Sequence, residues 1–385
     1  MRIAQVAPLV EAVPPKLYGG TERVVSWLTE ELVAQGHDVT LFASGDSVTR
    51  ATLVPTAPAA LRLSGIHDQT PTLVVALDQI RRSADEFDII HFHIDCLQFP
   101  LFQELSHKCV TTPHGRLDLP DLAGLYRAFP RMPLISISDA QRRPVPQANW
   151  LTTVHHGLPS ALYPLNPKGG GYLAFLGRIA PEKRPDRAIE IAKRSGVPLK
   201  IAAKVDFVDQ EYFAREIEPL LDDPLVEFIG EIDDARKGDF LGNAMALLFP
   251  IDWPEPFGLV MIEAMSTGTP VIAWGNGSVP EVLDDGVTGV LVDSAEAGAR
   301  AVETVRRMDR HAVRQRFEAR FTASRMANRY LAAYDQILHR GSTLVPAHGP
   351  AATRHDRHAP RPTQRRQPRP QVIPLATSER DTYSV

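Results

Sequence analysis

Cysteine is scarce: the 385-residue chain holds two, Cys96 and Cys109. Two cysteines cannot build a disulfide framework, and their spacing is not that of a metal-ligand set. A reduced, cytoplasmic setting is the simple expectation. No run of about 18 apolar residues occurs, so no transmembrane helix is expected. The opening Met1-Arg2-Ile3-Ala4-Gln5-Val6-Ala7-Pro8 is too short for a signal-peptide core, and Glu11 and Lys16 interrupt the next stretch of chain. Net charge is only −4, which does not point to a nucleic-acid partner. A dinucleotide fingerprint needs G-x-G-x-x-G after a strand. Neither Gly19-Gly20 nor Gly169-Gly170-Gly171 supplies it, which argues against a dehydrogenase. No internal repeat is present.

Hydrophobic residues make up 44% of the chain, ample for two cores at roughly 150 residues per domain. Strand-like and helix-like pieces alternate. Arg2–Ala7 reads as a strand. Thr21–Gln35 reads as a helix, with Val24, Val25, Leu28, Leu32 and Val33 on one side. Further strands fall at 38–44, 88–93, 108–112 and 133–138. A Pro- and Gly-rich stretch from His155 to Gly171 reads as a linker. The alternation then restarts, with strands at 172–176, 199–203, 226–229, 246–250 and 271–273. Short apolar runs separated by helices are what parallel, doubly wound sheets require. Two such domains are expected, residues 1–160 and 161–320, with a ligand cleft between facing sheets. A helical segment covers 301–340, and its last part, 321–340, is expected to pack back across both. Residues 341–385 carry seven arginines against three acidic residues, a net charge of +4, together with seven prolines. Such a tail is expected to be disordered. Its charge suits an acidic membrane surface or partner, though a solvated tail explains it as well.

The chemistry concentrates in Pro254-Glu255-Pro256-Phe257-Gly258-Leu259-Val260-Met261-Ile262-Glu263. Two prolines and a glycine keep Glu255 in a loop. From Leu259 the pattern is helical, so Glu263 lies in the early turns of a helix that starts at Phe257-Gly258-Leu259. That end offers free N–H groups and partial positive charge, suited to phosphate or a polar sugar. Leu176-Gly177-Arg178-Ile179-Ala180-Pro181-Glu182-Lys183 puts two cations on a strand-to-helix turn, matching a diphosphate. Tyr18-Gly19-Gly20-Thr21-Glu22 precedes the first helix and lets a ligand approach the backbone. His114, in Thr111-Thr112-Pro113-His114-Gly115, ends a strand and faces the cleft. His91 and His93 share one face of a strand and read as packing or acceptor lining, not a metal site. Each feature has a plainer reading: solvated helix-start charges, a turn capped by Thr21, a structural histidine, and Ser138 or Glu281 as ordinary helix-start residues.

Taken together these motifs resemble the GT-B glycosyltransferases of family 4 (glycosyl transferases group 1), over residues 1 to about 340. The family's E-x7-E signature matches Glu255 and Glu263, and its G-R-x4-K pattern matches Gly177, Arg178 and Lys183. The resemblance implies two facing Rossmann-like domains, donor binding mainly by the second and acceptor binding mainly by the first. It implies Arg178 and Lys183 on the donor diphosphate, Glu263 on the ribose and Glu255 on the transferred sugar. It also implies His114 near that sugar, the Gly19-Gly20 loop and Phe257-Gly258-Leu259 against the donor, Ile232 near the base, and Glu281 near the donor. His155-His156-Gly157 departs from the family's usual asparagine-glycine and is assigned no role. The implied reaction moves a hexose with retention, from a UDP-, GDP- or ADP-linked donor to a hydroxyl of a saccharide, lipid-linked or small-molecule acceptor. No Asp-x-Asp occurs, so Arg178, Lys183 and helix N-termini are expected to stand in for a metal, with no cofactor. The alternatives left open are a non-catalytic nucleotide-sugar binder of the same fold and a glycan phosphorylase, which needs a pyridoxal-phosphate lysine and usually a longer chain.

Overall fold

The computed structural model describes residues 1–17, 19–62, 64–66 and 68–344. The first half forms a seven-stranded sheet from β1 (Arg2–Val6), β2 (Asp38–Ser44), β3 (Thr52–Ala57), β4 (Ile89–Phe92), β5 (Cys109–Thr111), β6 (Leu134–Ser136) and β7 (Trp150–Thr153). Its spatial order is β3-β2-β1-β4-β5-β6-β7. The second half forms a six-stranded sheet from β8 (Tyr172–Ile179), β9 (Leu199–Val205), β10 (Val226–Gly230), β11 (Ala244–Phe249), β12 (Val271–Trp274) and β13 (Gly289–Val292). Its order is β10-β9-β8-β11-β12-β13. The strand pairings in both sheets are parallel. The central strands are buried on both faces, as helices covering both sides demand.

In each sheet the strand order reverses beside the first strand, β1 or β8. A crevice opens at that point, at the carboxyl ends of the strands. The loops leaving β1 and β8 hold Gly19-Gly20 and Lys183, so topology alone brings two of the motifs to one place. Residues 1–344 form one compact unit. Its largest buried apolar cluster runs from Ile3 and Leu28 through Leu158 to Phe257, Met261 and Tyr334.

Several expectations need correction. Strands β3, β7 and β13 carry no clear alternation, and the sequence does not signal them. β8 runs on past Leu176 to Ile179, with Arg178 paired to Lys204 of β9. Arg178 is therefore a strand residue, because ladder bonding along a central strand outweighs the glycine before it. The segment 301–340 is not one helix: Ala295–Val305, Arg310–Arg320 and Ala323–Leu344 are separate. Asp309 breaks the run by accepting a hydrogen bond from the His311 N–H (2.9 Å) as N-cap. The last helix passes residue 341 and ends at Leu344. Residues 345–385, and with them the expected disordered tail, lie outside the described residues.

That last helix packs on the helix Gly20–Ala34 of the first half. Tyr330 and Tyr334 on it are fully buried. Arg310 ties the second half together from below. Its guanidinium donates to the carbonyls of Asn166 (2.6 Å), Ala244 (3.0 Å) and Gly242 (2.8 Å).

Candidate functional site

A cavity of about 570 Å³ lies where the two switch-point loops meet, a volume within the usual range for small-molecule sites. Gly19, Gly20, Glu22 and His114 line it from the first half. Gly177, Arg178, Lys183, Ile232, Glu255, Phe257, Gly258, Leu259 and Glu263 line it from the second.

Glu255 is held by its loop. Its carbonyl accepts from the Ser278 N–H (2.9 Å). Gly277, with φ +60°, presses so closely that a Cβ there would stand 2.4 Å from the Glu255 backbone. Glu255 is buried, and its side chain accepts from Lys183 Nζ at 2.5 Å and Trp253 Nε1 at 3.0 Å. The Lys183 ammonium also sits 4.6 Å from the centre of the Trp253 ring. Lysine, carboxylate and indole thus form one charge-balanced unit.

Gly258, with φ +77°, turns the chain into the helix Leu259–Ser266. Its left-handed conformation suits glycine, and a Cβ would meet Met261 at 2.8 Å. Glu263, in that helix, is 3% exposed and accepts from Lys237 Nζ at 3.0 Å. Lys237 has its pKa lowered by burial, an effect the adjacent Glu263 opposes. Arg178 donates to Glu182 Oε1 at 2.5 Å and lies 3.6 Å from both Asp206 and Asp209. Its charge is therefore already balanced by acids before any ligand enters.

On the opposite wall, burial pushes the His114 pKa down to about 3, so the ring is neutral. His156 stacks on it with centroids 5.2 Å apart and planes at 15°, and meets the Phe257 ring edge-on at 4.8 Å. Glu22, at the start of the helix Gly20–Ala34, has its pKa pushed up to about 7, chiefly by burial. Such a carboxyl changes charge near neutrality inside the cavity.

Glu281 is not among the cavity's lining residues. Its carboxylate accepts from the backbone N–H groups of Asp139 (2.7 Å) and Ala140 (2.6 Å), at the start of a helix capped by Ser138. His155 Nε2 is 3.4 Å away. Burial raises the Glu281 pKa, but the bonds from His155, Asp139 and Ala140 outweigh it and the net shift is downward. The Glu281 carboxylate thus joins the two halves of the chain. The physical reason is local: the free amides of a short helix are the nearest donors.

Sequence reasoning left several lining residues without a role: Glu22, Lys237 and His156. Only His156 carried a signal, as the departure from asparagine-glycine at the linker. Among the described residues, no group of three or more His, Cys, Asp or Glu is placed to hold a metal ion.

Comparison with known proteins agrees with the fold. Residues 18–158 match the profile described as Glycosyltransferase Family 4, and residues 164–320 the profile described as Glycosyl transferases group 1. The chain is 26% identical over 386 aligned positions to the phosphatidyl-myo-inositol mannosyltransferase of Mycobacterium leprae, covering 89% of this chain and 99% of that one. A D-inositol 3-phosphate glycosyltransferase of Streptomyces griseus is 33% identical over 168 positions, 38% of this chain and 31% of that one. Among solved structures, sucrose-phosphate synthase of Thermosynechococcus elongatus superposes with TM-score 0.72 at 20% identity, over 88% of this chain and 99% of that one. The Anabaena protein HepE, crystallised with UDP and glucose, superposes at 0.66 and 18% identity, over 87% of this chain and all of that one (100%).

Proposed function

We propose a specific reaction from one premise: the chain belongs to glycosyltransferase family 4, has the GT-B architecture and is a glycosyltransferase. The reaction moves a hexose from a nucleotide diphospho-sugar to a hydroxyl acceptor, with retention of configuration and without a metal. The observation that carries this reading is the single cavity that gathers Arg178, Lys183, Glu255, Glu263 and the start of helix Leu259–Ser266 against His114 and Gly19-Gly20.

In this reading residues 161–320 bind the donor and residues 1–160 the acceptor. Glu263 holds the ribose hydroxyls. Arg178 and Lys183 face the diphosphate, whose charge rises as the glycosidic bond breaks, and the amides before Leu259 add fixed dipoles. Those groups supply positive charge where other enzymes use a metal ion. Glu255 accepts from hydroxyls of the transferred sugar. In the free enzyme it holds Lys183, so donor binding exchanges one anionic partner of that lysine for another. His114 stands on the acceptor side of the sugar. Ile232 and its backbone lie near the base. Closure of the cleft would exclude water and strengthen each of these contacts.

The names of the relatives favour an acceptor that carries inositol or a lipid, and the HepE complexes favour a UDP-linked donor. Among the described residues no helix is long and apolar enough to cross a membrane. The two cysteines are free, which supports a cytoplasmic setting.

The test is a panel of UDP-, GDP- and ADP-hexoses, screened first for thermal stabilisation and then for transfer to phosphatidylinositol, inositol phosphate and simple saccharides. Transfer with an unchanged anomeric configuration is expected. Stabilisation without turnover on any acceptor, or even hydrolysis, would favour a binding protein instead.

A further inference from the structure

Behind the cavity wall lies a buried polar network that the reaction above leaves unused. It starts on the last helix, where Tyr334 Oη is 2.7 Å from His91 Nδ1. His91 Nε2 is in turn 2.8 Å from Thr112 Oγ1. Gln5, in β1, donates from Nε2 to Tyr334 Oη at 3.2 Å. Gln5 Oε1 is 2.7 Å from His93 Nε2. His93 Nδ1 is 2.9 Å from His114 Nε2, at the cavity. Gln5, His91, Thr112 and Tyr334 are fully buried, and His93 is 3% exposed.

Each of these contacts needs one proton and one lone pair, because little water reaches them to correct a mismatch. The Gln5 carbonyl oxygen can only accept. The proton between Gln5 and His93 therefore sits on His93 Nε2. Burial, with the neighbouring His91, His114 and His156, holds the His93 pKa well below its usual value, so the ring is neutral. Its Nδ1 is then a lone pair. The proton of the next contact must come from His114 Nε2. Since His114 is neutral as well, its own Nδ1 has no proton.

We propose that Gln5 and His93 lock His114 as the Nε2–H tautomer, so that His114 meets substrate only as a hydrogen-bond acceptor. Its partner would be a hydroxyl that donates, on the transferred hexose or on the acceptor; this second half rests on the glycosyl-transfer reading. His93 and Gln5 are positioning residues in this scheme. Tyr334 supplies the polarity at the far end by donating to His91 while accepting from Gln5. The stacked His156 ring holds the His114 plane. The helix Ala323–Leu344 thus helps to set the proton on a ring in the loop after β5. Replacing the partner hydroxyl by fluorine, which cannot donate, should cost binding even though size is kept.

The test is nitrogen NMR on the full chain with ¹⁵N-labelled histidine, recorded at neutral pH without ligand. The His114 signals are assigned by their loss in His114→Gln. Nε2 is recognised because it couples to both carbon-bound ring protons, and Nδ1 to one. The expected result is a protonated Nε2 and a bare Nδ1. His93→Asn, which keeps an acceptor facing His114, should preserve that pattern. His93→Leu, which removes it, should give a mixture of tautomers. A proton on His114 Nδ1 in the unmodified protein overturns the proposal, as does an unchanged tautomer in His93→Leu. If His93→Leu does not fold, the spectrum of the unmodified protein still decides. The measurement needs no substrate, so failure of the transfer assay would count against the reaction and not against the tautomer.

Discussion

Lys183→Ala is the most searching perturbation of the site. Lys183 lies 2.5 Å from Glu255 Oε2, and both side chains are largely buried, at 19% and 11% exposure. The substitution removes a cation from the proposed diphosphate position. It also leaves the Glu255 carboxylate facing that position with only the Trp253 indole as partner. Two unit charges 4 Å apart interact by about 4 kcal/mol at an effective dielectric constant near 20. A longer separation and partial screening by solvent reduce that value. A repulsion of roughly 1–2 kcal/mol is therefore reasonable, about a tenfold change in affinity. Glu255→Gln on the same background keeps the shape and removes the charge. Calorimetry with a bare nucleoside diphosphate, which lacks the sugar that Glu255 would hold, isolates this effect. Lys183→Ala should bind it more weakly than the unmodified protein, and Lys183→Ala/Glu255→Gln should recover about tenfold. Turnover of Lys183→Ala should fall by about 10²-fold or more, because the lost charge matters most as the bond breaks. A double variant that binds no better than the single one would refute the electrostatic reasoning. So would a rise in donor KM with turnover intact.

Glu263→Ala should chiefly raise donor KM, since the proposed contact to ribose is alike in ground and transition states; steady-state kinetics on the donor checks it. Activity should survive excess EDTA, and complete loss restored by magnesium or manganese would contradict the cationic-turn reading. Glu22 has a folded pKa of about 7 against an ordinary value of 4.5, so the folded state holds its proton more tightly. Stability should therefore fall as pH rises from 4.5 to 7, by on the order of 2–3 kcal/mol. Glu22→Gln should flatten that slope and be the more stable form above pH 7, as chemical denaturation across the range will show. Glu281→Ala should lower stability by about 1–3 kcal/mol by freeing the Asp139 and Ala140 amides, with donor KM little changed.

Much of the fold was legible because its signals are local. Short apolar runs separated by helical periods identify parallel α/β sheets, and Pro-Gly punctuation marked the stretch between the halves. The weakest strands, β3 and β7, are edge strands, and their pattern is diluted by exposure. Gly177-Arg178 looked like a turn, yet ladder bonds to β9 carry β8 to Ile179. The bonds from the Asp139 and Ala140 amides to Glu281 join residues more than 140 positions apart, and no local pattern signals them.

The sequence by itself determined the two α/β halves, the loop at Glu255, the helix holding Glu263 and the presence of Arg178, Lys183 and His114 at strand ends. Those features come from proline, glycine and hydrophobic period over a few residues each. Only the tertiary structure decided the partners: Lys183 with Glu255, Lys237 with Glu263, and Gln5, His93 and His114 in one buried chain tied to Tyr334. Gln5 and Tyr334 stand 329 residues apart, and no local pattern records a contact at that range. Protonation state depends on those same partners and on burial, so the charge of Glu22 and the neutrality of His114 belong to the folded molecule alone.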